Sequence, residues 1–402
     1  MDLRSLPDGL SPQQRCDERR RRIEQESGAD LSFTQEKDER IGQADEKNCE
    51  QMFGSVPLPV GYAGPLTFTG SSGEKTTVHL PLATTEGALV ASVNRGCKVL
   101  SETNVHTDSV HHGITRSLAF AVGDNADAHV PKTDDESANG VRSFIVELGV
   151  KSTEWKQIAQ STSNHLRVIS HDVDAWDSTV FLTLAFDTDE AMGMNMATIA
   201  AQAVAEWIVE HMTEHSPRLL TVAGNVDSDK KPSKRTHDKG RGYEVTAEAL
   251  LPAALIRDVL KTSATAMKAV AEAKLEKGSV IAGAIGSNLH AANIVAALYL
   301  ATGQDAAHTV EGSLTDTTVE RKGEDLLVKV RLPAVLVGVR GGGTALPAQH
   351  QCLQLLLGKQ SSLHPKKQLA ETIGAAVLAG EISLLAAQAN HSLASAHKKH
   401  AR

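Results

Sequence analysis

Asp229-Lys230-Lys231-Pro232 sets two amines beside a carboxylate, inside the polar segment GNVDSDKKPSKRTHDKGRG at 224–242. A lysine held on such a loop can stabilise an oxyanion or bind a carboxylate, and the adjacent Asp can keep it charged. A solvated turn gives the same text, and taken alone it is the commoner cause of a charge cluster. Glu86, expected in the first turn of a helix capped by Thr84 or Thr85, is a candidate proton donor. The helix dipole alone also favours an acid there. Ser92 and Arg95, three residues apart, share a face of that helix, and a guanidinium can hold a phosphate through two N–H bonds.

Glu190-Ala191-Met192-Gly193-Met194-Asn195-Met196 combines an expected helix start, a glycine and a carboxamide. Gly193 lets a planar ring or a phosphate approach the backbone at a helix N-terminus, although methionines are more often core filler. Gly341-Gly342-Gly343-Thr344 is a tight turn that can also lie against a ligand. Neither GxGxxG nor GxxxxGK(S/T) occurs, which argues against an ordinary Rossmann dehydrogenase. Gly303 is a natural helix stop, and Asp305 then sits at the negative end of that helix, a misplacement that points to a cationic partner. His397 and His400 lie near the chain end, and a spacing of three without other ligands is weak metal evidence. His211-Met212-Thr213-Glu214-His215 fits the HxxEH pattern of inverted zinc peptidases. Glu210 before it and Ser-Pro-Arg after it read instead as an exposed helix end.

These side chains need a large scaffold. At 402 residues the chain is long enough for two or three structural units. Only 3% is aromatic, so the core must come from Leu, Val, Ile and Ala, which suits close-packed helices. The net charge of −8 gives no field for nucleic acid, and the run Arg19 to Arg22 sits among Asp17, Glu18, Glu24 and Glu26 and reads as a mixed-charge solvated helix. Four scattered cysteines fit a reducing cytosol, and the N-terminus lacks an apolar signal core. The apolar stretch from Ile281 to Leu300 is broken by Asn288, His290 and Asn293, so no membrane segment is expected and a cytoplasmic protein is.

Residues 1–49 read as a helical docking segment, and SLAFAV, RSFIVEL and STVFLTLAFDT as strands within an inserted α+β unit at 118–222. A helix is expected from Met192 to His215, then a strand at YEVTAEALL, helices over 252–276 and 278–302, a strand at LLVKVRL and helix over 366–400.

In order along the chain, GSVPLPVGYAGPL, LPLATTEGALVASVNRGCKVL, AMGMNMAT, GNVDSDKKP with GRG, HAANIVAALYLATGQDAA, GGGTALPAQ and LAGEISLLAAQANHSLASAH resemble the hydroxymethylglutaryl-CoA (HMG-CoA) reductase family. They span residues 50 to 397, and AMGMNMAT and GQDAA are similar to its class I form, which prefers NADPH. The resemblance implies NADPH-dependent reduction of HMG-CoA to mevalonate and CoA by two hydride transfers, with no metal. It implies Glu86 as proton donor, Lys230 as the holder of the substrate carbonyl oxygen, Asp305 coupling the two, and His397 protonating the departing thiolate. Arg116, Asp229, Lys231, Lys274, His290 and Asn293 fall at or beside the acyl pocket, and Ser92, Asn94 and Arg95 on the CoA side. Glu190, Met192, Gly193, Met194 and Asn195 match the dinucleotide site, with Gly341, Gly342 and Gly343 nearby.

The implied fold is α+β and not Rossmann: a large domain around a long central helix, placed at 278–302, with a smaller inserted α+β cofactor-binding domain. The implied boundaries are an N-terminal segment at 1–49, a large CoA-binding domain at 50–117 and 235–402, an NADP-binding domain at 118–222, and a lysine loop at 223–234. A homodimer or higher homo-oligomer with shared active sites follows. Departures are Gln51 for the family's Asn, Glu190 for its Asp, Ala223 for its Ser, Arg340 at an apolar place, and the charged segment 233–239. A zinc hydrolase using the HxxEH helix and a catalytically silent binding protein of the same fold are the alternatives.

Overall fold

The structure, a computed structural model, describes residues 2–123, 134–358 and 361–391. It divides into two compact units: unit 1 is Met1–Ser109, Val245–Leu332 and Val337–Arg402, and unit 2 is Val110–Glu244 and Pro333–Leu336. Nine strands are described: β1 (Val60–Thr69), β2 (Lys75–Ala83), β3 (Val105–Ala121), β4 (Arg167–Trp176), β5 (Thr179–Asp187), β6 (Arg218–Thr221), β7 (Gly242–Leu251), β8 (Asp316–Lys322) and β9 (Asp325–Val335). Three of the boundaries between the units fall inside β3, β7 and β9, and the fourth just after β9.

Unit 1 carries the strand order β2-β1-β3-β7-β9-β8. β1 and β2 form an antiparallel hairpin closed by Gly70-Ser71-Ser72-Gly73, with Gly73 at φ 80°. The helix that fills this unit is Pro365–Ala389, begun by a proline at its first turn and buried on nearly all sides. By length and composition it could cross a membrane, yet 94% of its most apolar window is buried inside the protein, as in a core helix. The Leu89–Ser101 helix packs so closely on it that a methyl at Gly96 would stand 2.0 Å from the Ala379 carbonyl oxygen. The N-terminal Pro12–Ser27 helix docks in the same unit through Cys16, which clusters with Ile41, Ala44, Met52 and Leu346. Arg19 and Arg20, expected in solvent, are buried: Arg19 donates to the Leu3 and Met52 carbonyls and Arg20 to that of Phe53.

Unit 2 is an antiparallel sheet, β6-β3-β5-β4, with the helices Asp134–Val150, Ser152–Ser161 and Met194–His211. Phe120, Phe144, Trp155, Leu182, Leu184, Phe186 and Val204 make its core. An all-antiparallel sheet is incompatible with a doubly wound dinucleotide fold.

Two further expectations are corrected. RSFIVEL is helix, not strand: Val141, Phe144 and Leu148 recur at three- and four-residue spacing and are buried together. The long central helix is Pro365–Ala389 rather than 278–302. The latter region is broken into Ser279–Ala282 and Ala291–Thr302, because Gly283 (φ 65°) and Gly286 (φ 81°) take left-handed conformations.

Candidate active site

In unit 2 the chain leaves β6 and enters a loop in which Asn225, Ser228 and Lys230 all adopt positive φ, at 63°, 52° and 57°. Side chains other than glycine visit that region at a cost of roughly 1–2 kcal/mol each, so the neighbours must impose it. They do so through Asp229. Arg241 Nη1 donates to its Oδ1 at 3.0 Å, Arg116 Nη1 stands 3.5 Å from its Oδ2, and the Lys231 ammonium donates to its main-chain oxygen at 3.0 Å. Arg241 is 1% exposed and spends its other N–H groups on the Thr115 hydroxyl and carbonyl and on the Met194 sulfur. Arg116 also faces the buried Asp227 at 3.5 Å. Burial pushes the Asp227 carboxyl above the ordinary Asp value, while Arg241 and Arg116 pull the other way. Lys230 and Lys231, between this fixed Asp229 and Pro232 in sequence, are exposed. Two exposed ammonium groups on a loop with a fixed backbone can meet an anionic ligand.

The Glu190–Met196 motif is in the same unit. β5 ends at Asp187, and after a turn Gly193 (φ 95°) opens the 18-residue helix Met194–His211, which no side chain caps. A Cβ at Gly193 would lie 2.3 Å from Thr188 Cγ2, so only glycine fits. Asn195 is exposed, Glu190 and Met192 are half-buried, and Met194 is buried against Arg241. Arg116 Nε donates to the Thr198 hydroxyl at 2.9 Å on the first turns of this helix. Arg116, Asp229, Lys231 and Met194 are thus brought together.

The unit 1 candidates lie on several separate segments. Glu86 is exposed in a turn, its N–H donating to the Thr84 hydroxyl at 3.0 Å. The helix starts only at Leu89, behind a left-handed Ala88, so Thr84 closes a turn rather than capping the helix. Arg95 donates to the Ser383 hydroxyl at 3.0 Å and carbonyl at 2.6 Å, Ser92 meets the same hydroxyl, and Asn94 accepts from Gly64 N–H. The guanidinium therefore fastens two helices in this structure. Asp305 follows Gly303, the left-handed stop of Ala291–Thr302, and accepts from Ala307 N–H. Gly303 lies against Gly343 so closely that a Cβ would be 2.1 Å from its carbonyl oxygen, and Gln304 clamps Gly338 through both of its main-chain groups. Gly341 and Gly342 lead into this contact.

His290 and Asn293 open the Ala291–Thr302 helix, and Lys274 is half-buried in a π-helical turn over Glu272–Gly278. His397 lies outside the described residues. The HxxEH pair does not share a helix face: the helix ends at His211, whose Nδ1 bonds the Trp207 carbonyl, whereas His215 is in a 3-10 turn and bonds Glu147 at 2.6 Å. Asp227, Arg241 and Gln304 were not among the expected site residues. The GRG that follows the lysine loop was the available signal for Arg241.

Comparison with known proteins gives a consistent result. The family described as Hydroxymethylglutaryl-coenzyme A reductase matches residues 15–402. The 3-hydroxy-3-methylglutaryl-coenzyme A reductase of Haloferax volcanii is 40% identical over 94% of this chain and 91% of its own. That of Methanocaldococcus jannaschii is 39% identical over 88% and 84%. Among solved structures, the class II reductase of Streptococcus pneumoniae bound to NADPH covers 92% of this chain and 86% of its own, with a TM-score of 0.64 at 17% identity. That last likeness is one of fold.

Proposed function

Since the chain belongs to the hydroxymethylglutaryl-coenzyme A reductase family, we propose that it reduces HMG-CoA to mevalonate and CoA at the expense of two NADPH. The observation that carries this reading furthest is the Arg116–Asp229–Arg241 cluster next in sequence to Lys230 and Lys231, beside the Met194–His211 helix. The uncapped N-terminus of that helix, opened by Gly193, fits a dinucleotide: its first amides suit a pyrophosphate, with Arg116 close by. When bound, the dinucleotide supplies the hydride of each reduction.

Everything else falls to side chains. Reducing a thioester to an alcohol takes four electrons, so charge appears on the substrate oxygen twice. The Lys230 ammonium meets that oxyanion, and Asp229, fixed by two guanidiniums, sets the loop that carries it. Arg116 and Lys231 hold the distant carboxylate of the acyl group. Collapse of the hemithioacetal expels a thiolate, whose conjugate acid has a pKa of about 8.5, and the His397 imidazolium donates a proton to it. Glu86, coupled to Asp305, protonates the final alkoxide. Ala223, which offers no hydroxyl to the substrate, weakens binding by about 1 kcal/mol. The protein acts in the cytoplasm as a homodimer or larger homo-oligomer.

The test is a coupled assay on purified protein. Two NADPH should be oxidised for each thiol released from HMG-CoA, and NADH run in parallel reports the effect of Glu190. Lys230→Ala should lower turnover at least about a hundredfold, as loss of an oxyanion partner does, with an unchanged melting temperature. Near-wild-type turnover in that variant defeats the assignment.

A further inference from the structure

We propose that Glu381 is a positioning residue for the His290–Asn293 part of the substrate pocket, an inference that rests on the reductase reading of that pocket. Glu381 is fully buried midway along the apolar Pro365–Ala389 helix. A carboxylate there is tolerable only if donors surround it. Its Oε1 accepts the His290 N–H at 2.8 Å, and its Oε2 accepts the Leu289 N–H at 2.8 Å and the Thr317 hydroxyl at 2.7 Å. The two amides lie just ahead of the Ala291–Thr302 helix, whose N-cap residue His290 gives no side-chain cap, while Asn288 Oδ1 accepts from the Ala291 N–H at 3.1 Å. The carboxylate thus seizes the main chain at the point where the pocket residues begin.

The preceding residue fixes the ring. His290 Nε2 is 2.9 Å from the Gly380 carbonyl oxygen. A carbonyl only accepts, so Nε2 carries the hydrogen. Nδ1 makes no hydrogen bond among the described residues and is the atom offered to a ligand. Asn293 N–H closes onto the His290 carbonyl at 2.9 Å, so it moves with His290. Gly380 and Glu381 therefore set the backbone, ring orientation and protonated nitrogen of His290 together. A glutamine of the same shape cannot replace Glu381: it has one acceptor oxygen for donors now shared by two, and its amide would face an N–H.

A buried carboxylate can also serve stability alone, and the same helix supplies the comparison. Glu371 is equally buried and accepts from Ser71 N–H and Oγ, Thr107 Oγ1 and Ser109 Oγ, none of them a pocket residue. Glu371→Gln and Glu381→Gln should both lower the melting temperature. Only Glu381→Gln should raise KM for HMG-CoA, by about tenfold, the scale of one lost charged hydrogen bond, with KM for NADPH unchanged. In protein carrying ¹⁵N-histidine, only that variant should show the His290 hydrogen redistributed between its ring nitrogens.

Should Glu381→Gln fail to fold, Thr317→Val keeps the charge and both amides. It should raise KM for HMG-CoA by about threefold, since only one of the three bonds to the carboxylate is lost and both main-chain bonds remain. Either variant with wild-type KM and an unaltered His290 ring signal, whatever its melting temperature, overturns the inference alone. Wild-type protein that does not turn over HMG-CoA overturns the reductase reading and this inference with it.

Discussion

Asp227 sits where two influences oppose each other, and the outcome has a measurable sign. Burial raises its pKa more than Arg241 and Arg116 lower it. The folded protein then keeps this proton to higher pH than the unfolded chain does, whose Asp titrates near about 3.9. Its contribution to stability is complete below that value and declines as pH rises through the folded one. Asp227→Asn should flatten this decline, visible as urea midpoints that vary less with pH just above 4 than in the parent; an unchanged slope contradicts the assignment. Lys230 and Lys231 stand out in the sequence because a lysine pair between an aspartate and a proline is conspicuous in any text. Asp227 and Arg241 were not, since their distinguishing property is burial. In a segment as polar as 224–242, a buried acid reads like its exposed neighbours.

At the scale of elements, periodicity succeeded where one face alone is buried and failed where it is short or interrupted. The β7 and β9 patterns alternate and form strands. RSFIVEL alternates only over a few residues, and its apolar positions serve a helix stripe equally well. The break between Ser279–Ala282 and Ala291–Thr302 depends on two glycines whose left-handed backbone no apolar pattern announces. The approach of the Leu89–Ser101 helix to Pro365–Ala389 was likewise invisible, as it depends on the absence of a side chain at Gly96. Gly96→Ala should destabilise unit 1 by about 3 kcal/mol or more, because overpacking here meets backbone rather than a movable side chain. A melt within a degree or two of wild type would contradict that packing.

For the whole molecule, the α+β class was legible from the mixture of strand and helix patterns, whereas the antiparallel pairing within unit 2 came only with the structure, because alternating strand and helix patterns on their own point toward a parallel sheet. Shared active sites are tested by mixing inactive variants. Lys230→Ala and Asp305→Ala proteins, unfolded and refolded together, should regain turnover that neither shows alone, if each site draws these residues from different subunits. No recovery in verified mixed oligomers removes the shared-site proposal.

The Pro365–Ala389 helix has a further consequence for how the protein is made. It fills unit 1, yet a ribosome synthesises it after nearly all of its packing partners. Until it emerges, the nascent chain must carry an unfilled apolar trough, the kind of surface that recruits chaperones and invites aggregation. Messages truncated before Pro365 should therefore yield inclusion bodies, while unit 2, whose core lies within residues 114–336, has already collapsed during translation.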